Sequence, residues 1–247
     1  MALNVVGIVC ALASEARHLG PTTFLREPLR SLADGTLVAT TGMGSTAAAA
    51  GARALIEAGA TALASWGMAG GLDPTLAAGE IVLPSRVVGA DGQVINTADG
   101  WRKRLSCAIG ANVPVRSGTL LTSARAIGSV ADKADLFRMT GAAAVDMESL
   151  AIGEIAASAR LPFISVRVIV DGARDVLPHA VTAAANKEGH LQIWRLMGAL
   201  VRAPNELVPL IRLARRYRAA NRSLARIARV GSLAPSAFSS AGDCRLS

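Results

Sequence analysis

In the first part of the chain, short apolar runs pass directly into glycines or polar side chains, with one alanine-rich stretch between them. Val5 to Leu12 leads into Ser14, Glu15 and Arg17, Thr36 to Thr41 ends in Gly42-Met43-Gly44, and Ala62 to Trp66 opens into Gly67-Met68-Ala69-Gly70-Gly71. Continuous apolar runs of this length suit strands buried on both faces, the pattern of a parallel sheet covered by helices. Thr46 to Ala58 is helical by propensity, with Ser45 as its candidate N-cap and Gly59 as its stop. The order strand, glycine turn, helix, strand, glycine turn therefore predicts an α/β fold with crossover helices.

The remainder continues this pattern less regularly. Glu80 to Val88 and Val115 to Thr122 predict strands flanking a weak helix at Asp99 to Ile109, and Arg125 to Met139 predicts a further helix. A short strand, Ala142 to Val145, leads into Asp146-Met147-Glu148-Ser149, and Leu150 to Arg160 is again helical. Phe163 to Val170 is a β-branched strand that delivers Asp171 to its C-terminal end, and Pro178 to Val201 predicts a long helix. The expected architecture is a single-domain, three-layer αβα fold with a central mixed, mostly parallel sheet over residues 1–203.

Composition excludes several classes. The chain is 51% hydrophobic with a mean hydropathy of +0.40, yet it holds no run of about 18 to 20 apolar residues that would span a bilayer. The apolar run from Val5 to Ala13 has no positive charge ahead of it and meets Glu15, the wrong pattern for a secretory signal, so a cytoplasmic protein is expected. Cys10, Cys107 and Cys244 have neither disulfide nor metal spacing, and no metal is expected. The net charge of +8 is concentrated: residues 202–229 hold eight Arg against Glu206, whereas residues 1–201 hold 17 basic and 16 acidic side chains. A near-neutral body with 3% aromatics disfavours the alternative of a nucleic-acid-binding protein that uses its Arg tail.

Ligands of open α/β sheets bind beyond the C-terminal strand ends, so five segments draw attention: Glu15, Gly42 to Ser45, Gly67 to Gly71, Asp146 to Ser149, and Arg167 to Asp171. Glycine turns let backbone N–H groups approach an anion or sugar, the more so at the helix start beside Ser45. Asp146 and Glu148, two apart, can accept hydrogen bonds from a sugar diol or merely answer the helix dipole. Arg167 in an otherwise apolar strand demands a carboxylate or anion partner. Asp171 is placed for a carboxyl whose pKa is raised by partial burial, the alternative being a loop Asp paired with Arg174. His18, His179 and His190 read as surface or satisfied histidines.

Taken in order, VVGIVCALASEA (5–16), TTGMGSTAAAAGARALIEAGA (40–60), SWGMAGGLDPTLAAGEIVLPSRVV (65–88), AVDMESLAIGEIA (144–156) and LPFISVRVIVDGARD (161–175) resemble the nucleoside phosphorylase and nucleosidase superfamily. The likeness includes the methylthioadenosine/S-adenosylhomocysteine nucleosidases and is nearest to the hopanoid-associated phosphorylase branch. It implies the nucleoside phosphorylase fold, a homodimer or higher homo-oligomer, and no cofactor beyond inorganic phosphate as a co-substrate. It also implies release of adenine from adenosylhopane, a nucleoside with an apolar 5′ substituent, by phosphorolysis or hydrolysis. The alternatives are a methylthioadenosine/S-adenosylhomocysteine nucleosidase or a general purine nucleoside phosphorylase. On the matching positions, Asp171 would protonate the purine at N7, Met147 and Glu148 would hold the ribose, and Glu15 would act with Arg167 on the nucleophile. Gly44, Ser45 and Gly70 would join Arg167 around that nucleophile or a phosphate. Two departures stand out: Met68 replaces the nucleosidases' Ser in the glycine turn, and the segment Thr122 to Ile127 lacks their purine-facing aromatic.

Residues 204–230 form a candidate basic amphipathic helix. Leu210, Leu213, Ala214, Tyr217, Ala220, Leu224, Ile227 and Ala228 project to one side and seven Arg to the other. Such a helix suits peripheral contact with an anionic membrane, and the alternative is a last helix packed on the body. Residues 231–247 are expected to be disordered.

Overall fold

The computed structural model describes residues 5–26, 28–110, 113–176, 207–229 and 233. Its strands form one sheet. β1 (Val6–Cys10) lies parallel between β4 (Leu37–Thr40) and β5 (Ala62–Gly71), and β12 (Phe163–Asp171) runs parallel along β5. Gly70 near the end of β5 pairs with Val145 of β11 (Ala144–Asp146) on one side and with Asp171 on the other. From β11 the sheet continues in parallel through β10 (Thr119–Thr122) to β7 (Arg86–Gly89), and β8 (Val94–Asn96) closes that edge antiparallel. The opposite edge is the hairpin of β2 (Thr23–Arg26) and β3 (Leu29–Ser31), while β6 (Ile81–Val82) joins β12 to β9 (Val115–Arg116).

Helices cover both faces. α2 (Ser45–Glu57) and α5 (Ser149–Ser158) pack on one, and α3 (Asp99–Ile109) and α6 (Leu207–Ala228) on the other. The period-two alternation of the strands decides which side chain meets which layer. In β12, Ile164, Val166 and Val168 enter the α3 and α6 core, and Phe163 and Ile169 enter the α2 and α5 core. Ser165 and Arg167 therefore point into the α5 side of the sheet. Two further helices, α1 (Ala13–Ala16) and α4 (Val130–Thr140), lie beyond the C-terminal ends of β1 and β10 and carry side chains of the site.

Several sequence expectations are corrected. Gly67 to Gly71 is no turn: β5 runs through it, and none of its glycines has positive φ. Ser45 is not the cap of α2, because the capping position belongs to Gly44 at φ 97° and Ser45 is the first helical residue. The predicted strand Glu80 to Val88 splits into β6 and β7 around Pro84, whose ring nitrogen has no proton to donate to a ladder. The predicted helix from Arg125 begins at Val130, where the Ser129 hydroxyl accepts the Asp132 N–H at 3.0 Å. The mixed, mostly parallel sheet is as expected: six of the eleven strand pairings among the described residues are parallel. β2, β3 and β8, too short for a periodic signal, supply antiparallel edges. The predicted helix Pro178 to Val201 lies outside the described residues.

The C-terminal helix packs on the body. Ala220, Leu224 and Ile227 are fully buried in the α3 side of the core. Asn221 accepts from Arg17 at 3.2 Å and lies 2.7 Å from His18 Nε2, and Ser223 donates to the Gly79 carbonyl at 2.6 Å. Of residues 231–247, Leu233 is described: it is buried, and its carbonyl accepts the Trp101 indole N–H at 2.9 Å. Leu224→Ala should therefore cost about 2 to 5 kcal/mol, as a cavity in a packed core does. Thermal unfolding of the variant checks this, and an unchanged Tm would show a helix resting loosely on the surface.

Candidate active site

The site is organised around Arg167, whose guanidinium is buried in β12. Its Nε and Nη2 donate to Asp146 Oδ2 at 2.9 and 2.7 Å, and Nη2 also donates to the hydroxyls of Ser65 at 2.5 Å and Ser149 at 3.0 Å. Asp146 is held in turn by the Thr122 hydroxyl at 2.7 Å and the Ser149 N–H at 3.1 Å. The carboxylate that the sequence offered for a sugar diol is thus the counter-ion of Arg167. Removing one member of such a buried pair leaves an uncompensated charge.

Glu15 approaches from α1. Its Oε1 accepts the Met68 N–H at 2.8 Å and its Oε2 the Leu12 N–H at 3.0 Å. Burial raises its pKa, while the Met68 N–H and Arg167 oppose the rise. Gly67, the strand partner of Arg167, makes the approach possible: a Cβ there would lie 2.7 Å from Glu15 Oε1 and 3.0 Å from Arg167 Nη1. The glycine supplies room between the Glu15 carboxyl and the guanidinium rather than a turn.

Glu148, just before α5, is buried. Its Oε1 accepts the Gly44 N–H at 2.8 Å and its Oε2 the Met147 N–H at 3.3 Å. Each oxygen keeps a lone pair for a ligand hydroxyl. Its pKa is pushed up to about 7, first by burial and then by the Asp146 carboxylate, against the pull of Arg167. Ser45 donates its hydroxyl to the Met147 carbonyl at 3.1 Å. The start of α2 therefore holds an anion, as the sequence suggested, but the anion is the protein's own Glu148.

Asp171 ends β12, buried, beside Gly70, where a Cβ would lie 3.5 Å from its Oδ2. Gly70 accordingly belongs to the Asp171 end of the site and not to the Arg167 end. The partner of Asp171 is Lys133 of α4, whose ammonium donates to Oδ2; Arg174 does not fill that role. Burial raises the Asp171 pKa, and the Lys133 charge opposes the rise.

Glu15, Glu148, Arg167 and Asp171 thus line successive parts of one sheet edge, with Met147 at its rim. Sequence reasoning missed Lys133 and the Ser65, Ser149 and Ser165 hydroxyls, which are mutually bonded at 3.0 and 2.9 Å. A signal for Lys133 was available: it is one of three lysines in a chain with 23 arginines. A cavity of about 330 Å³ lined by Ile8, Leu19, Leu32 and Leu233 among others shares no residue with this cluster. Among the described residues there is no His, Cys, Asp and Glu grouping suited to a metal ion, and no helix is long and apolar enough to cross a membrane.

A sheet of this topology with a buried Arg, Glu and Asp at its C-terminal strand ends defines a nucleoside phosphorylase or nucleosidase type of enzyme. The family model described as the phosphorylase superfamily matches residues 6–197, and the chain belongs to that superfamily. No curated protein matches by sequence. Among solved structures, the chain is similar to the 5′-methylthioadenosine/S-adenosylhomocysteine nucleosidase of Neisseria meningitidis in complex with methylthio-immucillin-A, with a TM-score of 0.69, 18% identity and coverage of 92% of this chain and 98% of that one. A Helicobacter pylori nucleosidase mutant with 5′-methylthioadenosine in its active site gives a TM-score of 0.65, 17% identity and coverage of 81% and 99%. Futalosine hydrolase of Helicobacter pylori gives 0.66, 15%, 91% and 97%. At these identities the likeness establishes the fold.

Two outcomes follow from the geometry. Gly67→Ala should displace Glu15 and lower turnover on the order of 10²-fold, the usual consequence of an ångström-scale misplacement, with little loss of Tm; near wild-type rates would show that Glu15 has room to give. In the unliganded protein, Glu148, Glu15 and Asp171 bind protons more tightly folded than unfolded. Their contribution to stability is present below the unfolded carboxylate range and is lost as pH rises, for Glu148 between 4.5 and about 7. Tm should fall from about pH 5 to about pH 7.5, and Glu148→Gln should flatten that slope. A Tm that rises over the same interval would contradict it.

Proposed function

We propose that this protein hydrolyses the N-glycosidic bond of a purine nucleoside with an apolar 5′ substituent, releasing adenine, with adenosylhopane as its substrate. The substrate rests on the resemblance to the hopanoid-associated branch, and the reaction rests on the site. As the bond between C1′ and N9 breaks, its electron pair goes to the purine, and Asp171 gives its proton to N7. The sugar passes through an oxocarbenium-like state, with the ionised Glu148 accepting the ribose hydroxyls and Met147 lining the ring. Water adds to C1′ and its proton passes to Glu15, which burial makes a stronger base. The mechanism asks for no cofactor.

One observation favours water over phosphate. Three carboxyl groups, Glu15, Asp146 and Glu148, surround the single guanidinium of Arg167, so a phosphate dianion would meet uncompensated negative charge. Two unit like charges 4 Å apart at an effective dielectric of about 20 repel by about 4 kcal/mol, and a dianion by about twice that, whereas neutral water escapes the penalty. Gly44, Ser45 and Gly70, which would have helped to hold phosphate, have their N–H, hydroxyl or position committed to Glu148, Met147 and Asp171. The exposed Arg212, Arg215, Arg218, Arg222 and Arg226 of α6, with Arg229 just past its end, support a peripheral, electrostatic contact with anionic lipid, where such a substrate resides.

Adenine release from adenosylhopane, methylthioadenosine, S-adenosylhomocysteine and inosine, with and without phosphate, tests the proposal. The expected outcome is fastest release from adenosylhopane in phosphate-free buffer, with kcat lowered on the order of 10²-fold or more by Asp171→Asn. Strict phosphate dependence would overturn hydrolysis, and preference for methylthioadenosine would overturn the substrate.

A further inference from the structure

Lys133 has no exposed surface. An ammonium has three N–H bonds, and this one meets three acceptors: Asp171 Oδ2, the Gly172 carbonyl at 2.9 Å and the Asp175 carbonyl at 3.0 Å. The cation is therefore saturated, and it ties α4 to the end of β12 and the loop after it. A compact ammonium suits three acceptors gathered around a point, and the planar fork of arginine does not. That accounts for a lysine here in a chain where Arg outnumbers Lys 23 to 3.

The charged groups facing Asp171 are Lys133 from α4, Asp175 from the following loop and Arg216 from α6. Asp175 Oδ1 pairs with Arg216 at 2.5 Å, and its Oδ2 accepts the Gly172 N–H at 2.9 Å. Since Arg216 answers the charge of Asp175, the charge of Lys133 is left to answer Asp171.

Resting on the nucleosidase reading above, we propose that Lys133 is a positioning residue for the general acid, fixing Asp171 through Oδ2 and stabilising the carboxylate that Asp171 becomes when its proton passes from Oδ1 to N7. Before transfer, Lys133 donates to a neutral carboxyl; after transfer, the same contact is a buried ion pair. The interaction strengthens along the reaction, so it lowers the barrier instead of merely holding the ground state. Burial raises the Asp171 pKa and Lys133 restrains the rise, so the first favours holding the proton and the second eases its release.

Lys133→Met tests this. The expected result is a fall in kcat on the order of 10²-fold, a KM changed by less than about threefold, as for an interaction made in the transition state, and an alkaline limb of the kcat profile displaced to higher pH. A variant whose limb stays in place while kcat and Tm fall together would overturn the proposal and leave Lys133 a structural cross-link. Should Lys133→Met fail to fold, the wild-type protein labelled with [¹⁵Nζ]lysine decides. With three lysines in the chain, the buried Lys133 resonance is separable by its slow proton exchange, and it should shift with the Asp171 titration and lose that dependence in Asp171→Asn. A Lys133 resonance indifferent to Asp171→Asn would overturn the proposal. This spectrum needs no substrate, so its failure is distinct from failure of the nucleosidase reading, which falls if no nucleoside of the panel loses its base.

Discussion

A guanidinium buried in a β-strand has to be matched where it stands, and the partners of Arg167 come from four different elements. Asp146 ends β11, Ser65 lies on β5, Ser149 opens α5, and Glu15 reaches in from α1 across Gly67. None of these contacts is local in sequence, so the network exists when β5, β11 and β12 are in register and not before. Isolated, the cation would cost several kcal/mol to bury. The meeting of β11 and β12 on opposite edges of Gly70 thus serves two ends, placing Asp146 against Arg167 and Val145 against the glycine that leaves room for Asp171.

Four buried carboxyl groups, Glu15, Asp146, Glu148 and Asp171, share this edge of the sheet, and their surroundings separate their roles. Asp146 accepts from Arg167 twice and from Thr122 and Ser149 besides, which commits it as a counter-ion. Glu15 and Glu148 each accept two backbone N–H groups; burial raises the pKa of both, and for Glu148 the neighbouring Asp146 and Glu15 carboxyl groups add to the rise. Asp171 faces a fixed ammonium, which eases loss of its proton. Environment distinguishes these carboxyl groups where residue type alone does not.

The sequence carried the layers and named most of the charged side chains buried at this edge, for identifiable reasons. Long apolar runs such as Phe163 to Val170 read correctly because strands buried on both faces need little but apolar residues, and Arg167 stood out as the exception within one. What stayed hidden was partner choice. Asp146 and Glu148 sit two residues apart at the same junction and look alike, yet strand alternation and the start of α5 send one to Arg167 and the other to Gly44. The glycines from Gly67 to Gly71 read as a turn because glycine relaxes the backbone, whereas here its missing side chain is what matters. Lys133 lies in an ordinary polar helix, and the fold alone brings it to Asp171, 38 residues away in sequence.

The Arg-rich helix looked separable because its charge differs so sharply from that of the body. Its two faces answer different needs. Ala220, Leu224 and Ile227 follow one another at helical spacing and close the α3 side of the core, while six of the arginines between 212 and 229 remain exposed. Arg216 stands at the boundary and turns inward to Asp175, whose backbone carbonyl also receives Lys133. The proposed electrostatic attraction to an anionic surface would act on the exposed arginines and would require no apolar residue to leave the core. A mode of binding that inserted the apolar face into lipid would have to lift Leu224 and Ile227 from the core and part Arg216 from Asp175, loosening the loop that follows Asp171. Surface contact through charge alone is therefore the mode compatible with an intact site.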